Sequence, residues 1–281
     1  MAIYGQPNSW TCGPFALKHG LLALGVFARE DDLARVAAST ERHGTDEPGL
    51  RRAARAHGVE LRLRRATEPH AAGEELRRWL ASGVPVLLCL DQWEHWVTAV
   101  AVDDDQVVVF DSKYDAPLRI ESWQQLMERL ACHRRPRWGL RTRTLYDLHP
   151  ITPRQPPRLR LALTAARARH LLQTENATLA RRWDECARRL APLAVTPGTQ
   201  AELGQDLERF VQVRRQDIAA LVAADAARVA GVVEELAFVA GMYRALLVPE
   251  AERDAVARLA AVAGELLGTE SGNPPLAASA A

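Results

Sequence analysis

The feature that most constrains this chain is a run of four prolines in ten residues, HPITPRQPPR at 149–158. Proline lacks a backbone N–H and its ring clashes with the preceding helical turn. Neither a long helix nor a central strand is expected to run through such a segment. The 281 residues therefore read as two parts of different texture. That length suits one large domain or two modest ones.

Ahead of the prolines the patterns are short and mixed. Residues 14–25, PFALKHGLLALG, place apolar side chains at helical spacing and end in glycine. Pro14 suits a first helical turn, where its missing N–H costs nothing. Further helices are expected at 30–38, 45–57 and 74–81, and a strand at 59–63. Residues 84–90 form an apolar run after Gly83, as a buried strand would. Residues 96–102 and 107–111 are β-rich and flank Asp103-Asp104-Asp105, a hairpin signal. A short helix at 122–130 and a strand at 138–145 complete an α+β pattern.

Beyond the prolines, 159–191, 199–247 and 250–267 are rich in Ala, Leu, Arg and Glu with helical periodicity. The expected organisation is an α+β domain over 1–147, a Pro-rich linker or extended strap over 148–158, an all-α bundle or hairpin over 159–267, and a disordered tail over 268–281.

Composition narrows the function. Residues 1–149 hold 20 basic and 20 acidic side chains, the remainder 16 and 15. Neither part has the basic excess of a nucleic-acid or membrane-surface binder. Only Lys18 and Lys113 are lysines, an arginine bias that points to a GC-rich bacterial genome. The cysteines, Cys12, Cys89, Cys132 and Cys186, are far apart, which argues against a zinc knot or a disulfide framework. No secretory signal and no apolar stretch of membrane-spanning length is evident, so a cytoplasmic protein with reduced thiols is expected.

One group of residues suggests chemistry. Cys12, in Ser9-Trp10-Thr11-Cys12-Gly13-Pro14, stands where a helix should begin. Free N–H groups and partial positive charge there favour thiolate over thiol. A free cysteine is more often a small buried hydrophobe, so its neighbours decide. Gln6 could donate to an oxyanion beside the nucleophile, with the Cys12 N–H as second donor. His95 opens a β-rich run and could exchange a proton with the thiol. Asp111 ends the next run. Antiparallel strands bring the start of one near the end of the next, so Asp111 could orient the imidazole. Asp103, Asp104 and Asp105 lie at the wrong end of that hairpin. Gly13 allows close backbone approach, and Trp10, Trp93 and Trp96 are candidate walls of a substrate cleft. Six arginines between 51 and 65 read as a solvated face rather than a peptide groove.

Taken together, Gln6-x5-Cys12-Gly13-Pro14, then His95-Trp96-Val97, then Asp111 resemble the bacteriocin-leader (double-glycine) peptidases, family thirty-nine of the papain-like cysteine peptidases. The resemblance covers roughly residues 1–145. It implies a papain-like fold, with N-terminal helices packed on an antiparallel sheet, and a thiol peptidase that uses no cofactor or metal and cleaves a peptide bearing a leader. It assigns oxyanion, nucleophile, base and orienting roles to Gln6, Cys12, His95 and Asp111. Two departures stand out. Ser112 follows Asp111 where family members often have proline, and the helical second part lies outside the pattern, leaving room for a partner protein there. Two other readings share these residues: an acyltransferase or transglutaminase-like enzyme, and a peptide-binding module without turnover.

Overall fold

The computed structural model describes residues 3–135, 142–173, 177–196 and 204–270. The chain divides into two compact units, Met1–Glu185 and Cys186–Ala281.

The first unit begins with three helices, α1 (Cys12–Ala23), α2 (Glu30–Ala37) and α3 (Glu47–Ala56). Helices α4 (Pro69–Ala81), α5 (Trp123–Leu130) and α6 (Ala165–Gln173) follow, and α7 (Ala177–Leu190) runs across the division. Its strands are β1 (Val59–Leu61), β2 (Arg64–Ala66), β3 (Val86–Leu90), β4 (His95–Asp103), β5 (Gln106–Phe110), β6 (Leu118–Ser122), β7 (Cys132–Arg134) and β8 (Arg143–Pro153). They form one sheet in the order β1-β8-β3-β4-β5-β6, with β2 and β7 also paired to β8. Every pairing is antiparallel.

Two apolar layers sandwich this sheet. Val86, Leu88, Leu90, Val97, Ala99, Val107 and Val109 face one way, with Leu76 of α4 and Leu126 and Leu130 of α5. Leu87, Cys89 and Trp96 face the other way, with Ala16, Leu17 and Leu21 of α1. Period-two alternation assigns these faces. Strands covered on both sides are apolar throughout, which is why β3 reads as a continuous run. All twelve residues of α1 are buried. Its close packing depends on two glycines seven residues apart, hence on one face. A Cβ at Gly13 would meet Thr45 Cβ at 2.8 Å, and one at Gly20 would meet Ile151 Cδ1 at 2.1 Å. The Thr98 hydroxyl of β4 donates to the Ala16 carbonyl of α1 and ties helix to sheet.

The β4–β5 pair contains a bulge. Asp103, Val102 and Ala101 pair with Gln106, Val107 and Val108, but Ala99 and Thr98 pair with Val109 and Phe110. Val100 is the extra residue. The side chains follow: Val97, Ala99 and Val102 all pack in the α4/α5 layer, a switch from odd to even positions. A one-residue shift in register changes the face of every later side chain.

Several expectations are corrected. The segment expected as a linker is a strand as far as Pro153: Ile151, Thr152 and Pro153 pair with β1 at the sheet edge, where proline needs no donor. The chain then straps back along the same unit. Leu159 and Leu163 are buried, and the Leu161 N–H bonds to the Ala23 carbonyl at the end of α1. The division therefore falls at 185/186 rather than at the prolines. The strand expected at 138–145 begins at Arg143 and runs to Pro153, with 136–141 outside the described residues.

The second unit contains α8 (Leu207–Val213), α9 (Arg215–Ala220), α10 (Ala226–Met242), α11 (Pro249–Glu252) and α12 (Ala255–Glu270). It also carries three two-residue strands, β9 (Ala194–Val195), β10 (Gln205–Asp206) and β11 (Leu246–Leu247), in the order β10-β11-β9. Expected helices over 199–247 are thus shorter and interrupted. The tail expected from residue 268 includes the last turn of α12; 271–281 lie outside the described residues. No helix among the described residues is long and apolar enough to cross a membrane.

Candidate active site

Cys12 is the first residue of α1, and it is 5% exposed. No acidic residue occupies the first turn of α1, and Thr11 makes no side-chain cap. In contrast, α2 opens with Glu30, Asp31 and Asp32. The positive end of α1 is therefore left unneutralised beside the thiol. The preceding turn is ordered by Asn8, whose side-chain oxygen accepts from the Trp10 N–H, the Thr11 N–H and the Thr11 hydroxyl.

His95 is the first residue of β4. Continuing the register beyond Thr98–Phe110 sets Asp111 opposite Val97, so His95 and Asp111 lie diagonally on the same face. Were Val100 paired in the ladder instead of bulged out, Asp111 would oppose Thr98 and the two would fall on opposite faces. His95 Nε2 lies 2.6 Å from Asp111 Oδ1. The ring also lies close enough to the Cys12 thiol for each to shift the other's titration. The thiol comes from the helix on one face of the sheet and the His–Asp pair from the other. They meet where β4 begins.

Electrostatics at this junction favour an ion pair. Burial pushes the Cys12 thiol up. The hydrogen bond from His95, the Trp96 and Gly13 N–H groups and the imidazolium charge outweigh it, and the thiol titrates below its ordinary value. Burial pulls His95 down, but hydrogen bonds and charge from Asp111 and Cys12 raise it to about 9. Burial also works against the Asp111 carboxylate, yet His95, the Lys113 N–H and the Arg129 charge hold it below the usual range. Cys89 and Cys132, where burial outweighs the groups that favour thiolate, are pushed up.

Gln6 is held against the residue after Asp111. Its N–H donates to the Ser112 carbonyl (2.7 Å), the Ser112 hydroxyl donates to its side-chain oxygen (2.7 Å), and its amide nitrogen donates to the Asn8 carbonyl (2.7 Å). Serine in place of proline thus fixes the amide orientation. Two residues earlier, the Tyr4 hydroxyl donates to Glu30, which also receives Lys18 Nζ at 2.9 Å. That buried cluster anchors the segment carrying Gln6.

The other named residues are placed less uniformly. Gly13 is buried against Thr45 and serves packing. Trp96 is 7% exposed; its indole N–H donates to the Thr45 carbonyl and its ring meets His149 edge-on at 5.2 Å. It packs in the same apolar cluster as Cys12, and its backbone N–H acts on the thiol. Trp93 is half-buried, with Arg134 and Arg65 guanidinium carbons 4.3 and 5.4 Å from its ring centre. Trp10 is half-buried near the start of α1.

Sequence reasoning missed three contributors. Asn8 had a readable signal, an Asx residue shortly before a helix. Ser112 had none. Arg129 reads as an ordinary exposed charge on an amphipathic helix, yet its Nη2 lies 3.7 Å from Asp111 Oδ2. Among the described residues, no group of three or more His, Cys, Asp or Glu side chains is placed to hold a metal ion.

No family model matches the chain, and no curated protein is significantly similar to it. Solved structures are. The peptidase domain of Streptococcus ComA, a bi-functional ABC transporter in a quorum-sensing pathway, is 14% identical over 53% of this chain and 96% of its own, with a TM-score of 0.40. A double-glycine motif protease from an AMS/PCAT transporter, solved with its leader peptide, is 14% identical over 53% of this chain and 89% of its own, also at 0.40. The peptidase domain of Streptococcus mutans ComA is 12% identical over 52% and 98%, at 0.31. Over about half its length the chain is similar to peptidase domains of the double-glycine type, the family that its cysteine, histidine and aspartate motifs resemble.

Proposed function

We propose that the first unit is a thiol-dependent hydrolase of peptide bonds, with Cys12 as nucleophile. The observation that carries this reading is the pairing of His95 with the buried Asp111, 2.6 Å between Nε2 and Oδ1, with the ring acting on the thiol at the α1 N-terminus. The Cys12 thiolate attacks the carbonyl carbon. The C–N bond breaks as His95 gives its proton to the departing amine, leaving a thioester on Cys12. Neutral His95 then takes a proton from water, which attacks the thioester and frees the acid. The Cys12 backbone N–H, unpartnered at a helix start, and the second N–H of the Gln6 amide stabilise the oxyanion. A peptide substrate, with a leader, follows from the motif resemblance. Residues 186–281 supply none of these groups, and a partner-binding role for them is a separate proposal.

The test is cleavage of a candidate leader-bearing peptide by wild type and Cys12→Ala. Loss of at least about 10⁴-fold in rate is expected, with a thioester adduct on the wild type by mass spectrometry. Cleavage undiminished in Cys12→Ala overturns the reading. Product formed only with an added amine reassigns the enzyme as an acyltransferase.

A further inference from the structure

We propose that Arg129 is a positioning residue for the His95–Asp111 pair: its guanidinium is the fixed counter-charge to Asp111 and the clamp on the turn that presents His95. The inference rests on the hydrolase reading above and assigns to α5 a part in it.

Asp111 is fully buried. Its Oδ1 accepts from His95 and from the Lys113 N–H at 3.0 Å. Its Oδ2 is buried with no hydrogen bond. A buried carboxylate with an idle oxygen is costly unless a cation compensates it. The guanidinium 3.7 Å from Oδ2 does so. It cannot swing away. Nε and Nη2 form a bidentate pair with Asp91 at 3.1 and 3.0 Å, and Nη1 bonds Glu121 at 2.8 Å.

Asp91 opens the turn between β3 and β4. Asp91, Gln92 and Trp93 all have left-handed φ, at 56°, 64° and 71°. Three such non-glycine residues in succession persist only where surroundings over-determine them. Arg129 supplies part of that hold twice, through its side chain and through its carbonyl, which accepts the Asp91 N–H at 2.9 Å. The Gln92 side chain bonds Ala131 and His133, just past α5. The end of α5 therefore grips the turn on which His95 depends.

The charges facing Asp111 are few. His95 comes from β4, Arg129 from α5 with Asp91 and Glu121 bonded to it, and Cys12 lies beyond His95. His19 of α1 is nearby, fully buried and without hydrogen bonds, and its value near 3 leaves it neutral. When His95 has given its proton to a leaving group, Arg129 alone still balances Asp111. The carboxylate then stays an acceptor, keeps the proton on Nε2 and leaves Nδ1 free as the base for water.

The test is the pH dependence of Cys12 alkylation by iodoacetamide in wild type, Arg129→Met, Arg129→Lys and Asp91→Asn, with Tm recorded for each. Alkylation reads the thiolate whether or not any peptide is cleaved, so its outcome is independent of the hydrolase test. In Arg129→Met the acid limb should move up by about half a pH unit or more, since an opposite charge at this range shifts a carboxylate by ~1–3 units and part reaches the ion pair. Arg129→Lys should recover part of that shift. Asp91→Asn should lower Tm and move the limb by less than Arg129→Met does. A wild-type limb in folded Arg129→Met, or a limb displaced as far by Asp91→Asn, overturns the proposal. Should Arg129→Met not fold, Arg129→Lys decides: an intermediate limb supports the proposal and a wild-type limb overturns it.

Discussion

Helices α1 and α10 are both rich in buried residues, yet they begin in opposite ways. The Asp225 side chain accepts from the Ala227 and Arg228 N–H groups and closes the start of α10. Nothing on Thr11 does this for α1, and no acid follows in its first turn. The first arrangement satisfies local rules and stabilises a helix. The second leaves donors and partial charge unspent next to a thiol. In the same unit such exceptions accumulate: a buried carboxylate, three left-handed residues and a bulge, all on the strands and turns that carry His95 and Asp111. Departures of this kind are expected where a chain does chemistry, and conventional capping where it only folds.

The contrast breaks most visibly at Asp111. Asp111→Asn keeps the shape but removes the charge that holds the His95 proton on Nε2. Hydrolysis should fall by about 10²- to 10⁴-fold while far-UV circular dichroism is unchanged. A loss no greater than that from an ordinary surface substitution would erase the distinction between the two regions. A sharper test uses pH. Because His95 is raised to about 9, imidazolium persists through neutrality and is lost as pH climbs past that value. Hydrolysis, which needs that proton for the leaving group, should decline above about pH 9. Alkylation of Cys12, which needs only thiolate, should not. Parallel decline of both rates would mean that His95 is not the proton donor. The smallest expected effects compare the two helix starts directly. Thr11→Asp places a negative charge at the end of α1 and should slow Cys12 alkylation near pH 6 by about 2- to 5-fold, the kinetic equivalent of ~0.3–1 kcal/mol of helix-dipole interaction. Asp225→Ala should cost ~1 kcal/mol of stability, seen in denaturant titration, and leave that alkylation rate unchanged.

Much of the framework is legible in the sequence because it is local. Pro14 marks the start of α1, Gly83 precedes β3, and the three aspartates at 103–105 sit at the β4–β5 turn. That His95 and Asp111 lie at the same end of the sheet follows from antiparallel pairing alone. What escapes is set by contacts distant in the chain. Pro150 and Pro153 look like breakers, but each takes the last place of a ladder, Pro150 opposite Val86 of β3 and Pro153 opposite Val59 of β1. Trp96 reads as a cleft aromatic, and nothing local shows that Thr45, 51 residues away, accepts its N–H. Arg129 lies on an amphipathic helix whose exposed face explains an arginine without further demand. Val100 stands in an apolar run with no glycine or proline to announce an irregularity. In the second unit, two-residue strands are too short to impose any period.

Pairing in a sheet obeys an odd–even count, and the bulge at Val100 keeps that count right despite the extra residue. Loss of one codon between Trp96 and Asp103 would leave the hairpin a tidy ladder with the imidazole and its carboxylate still on one side. Loss of two would turn them to opposite sides. The chemistry of this chain is thus vulnerable to an edit that changes no side chain it uses.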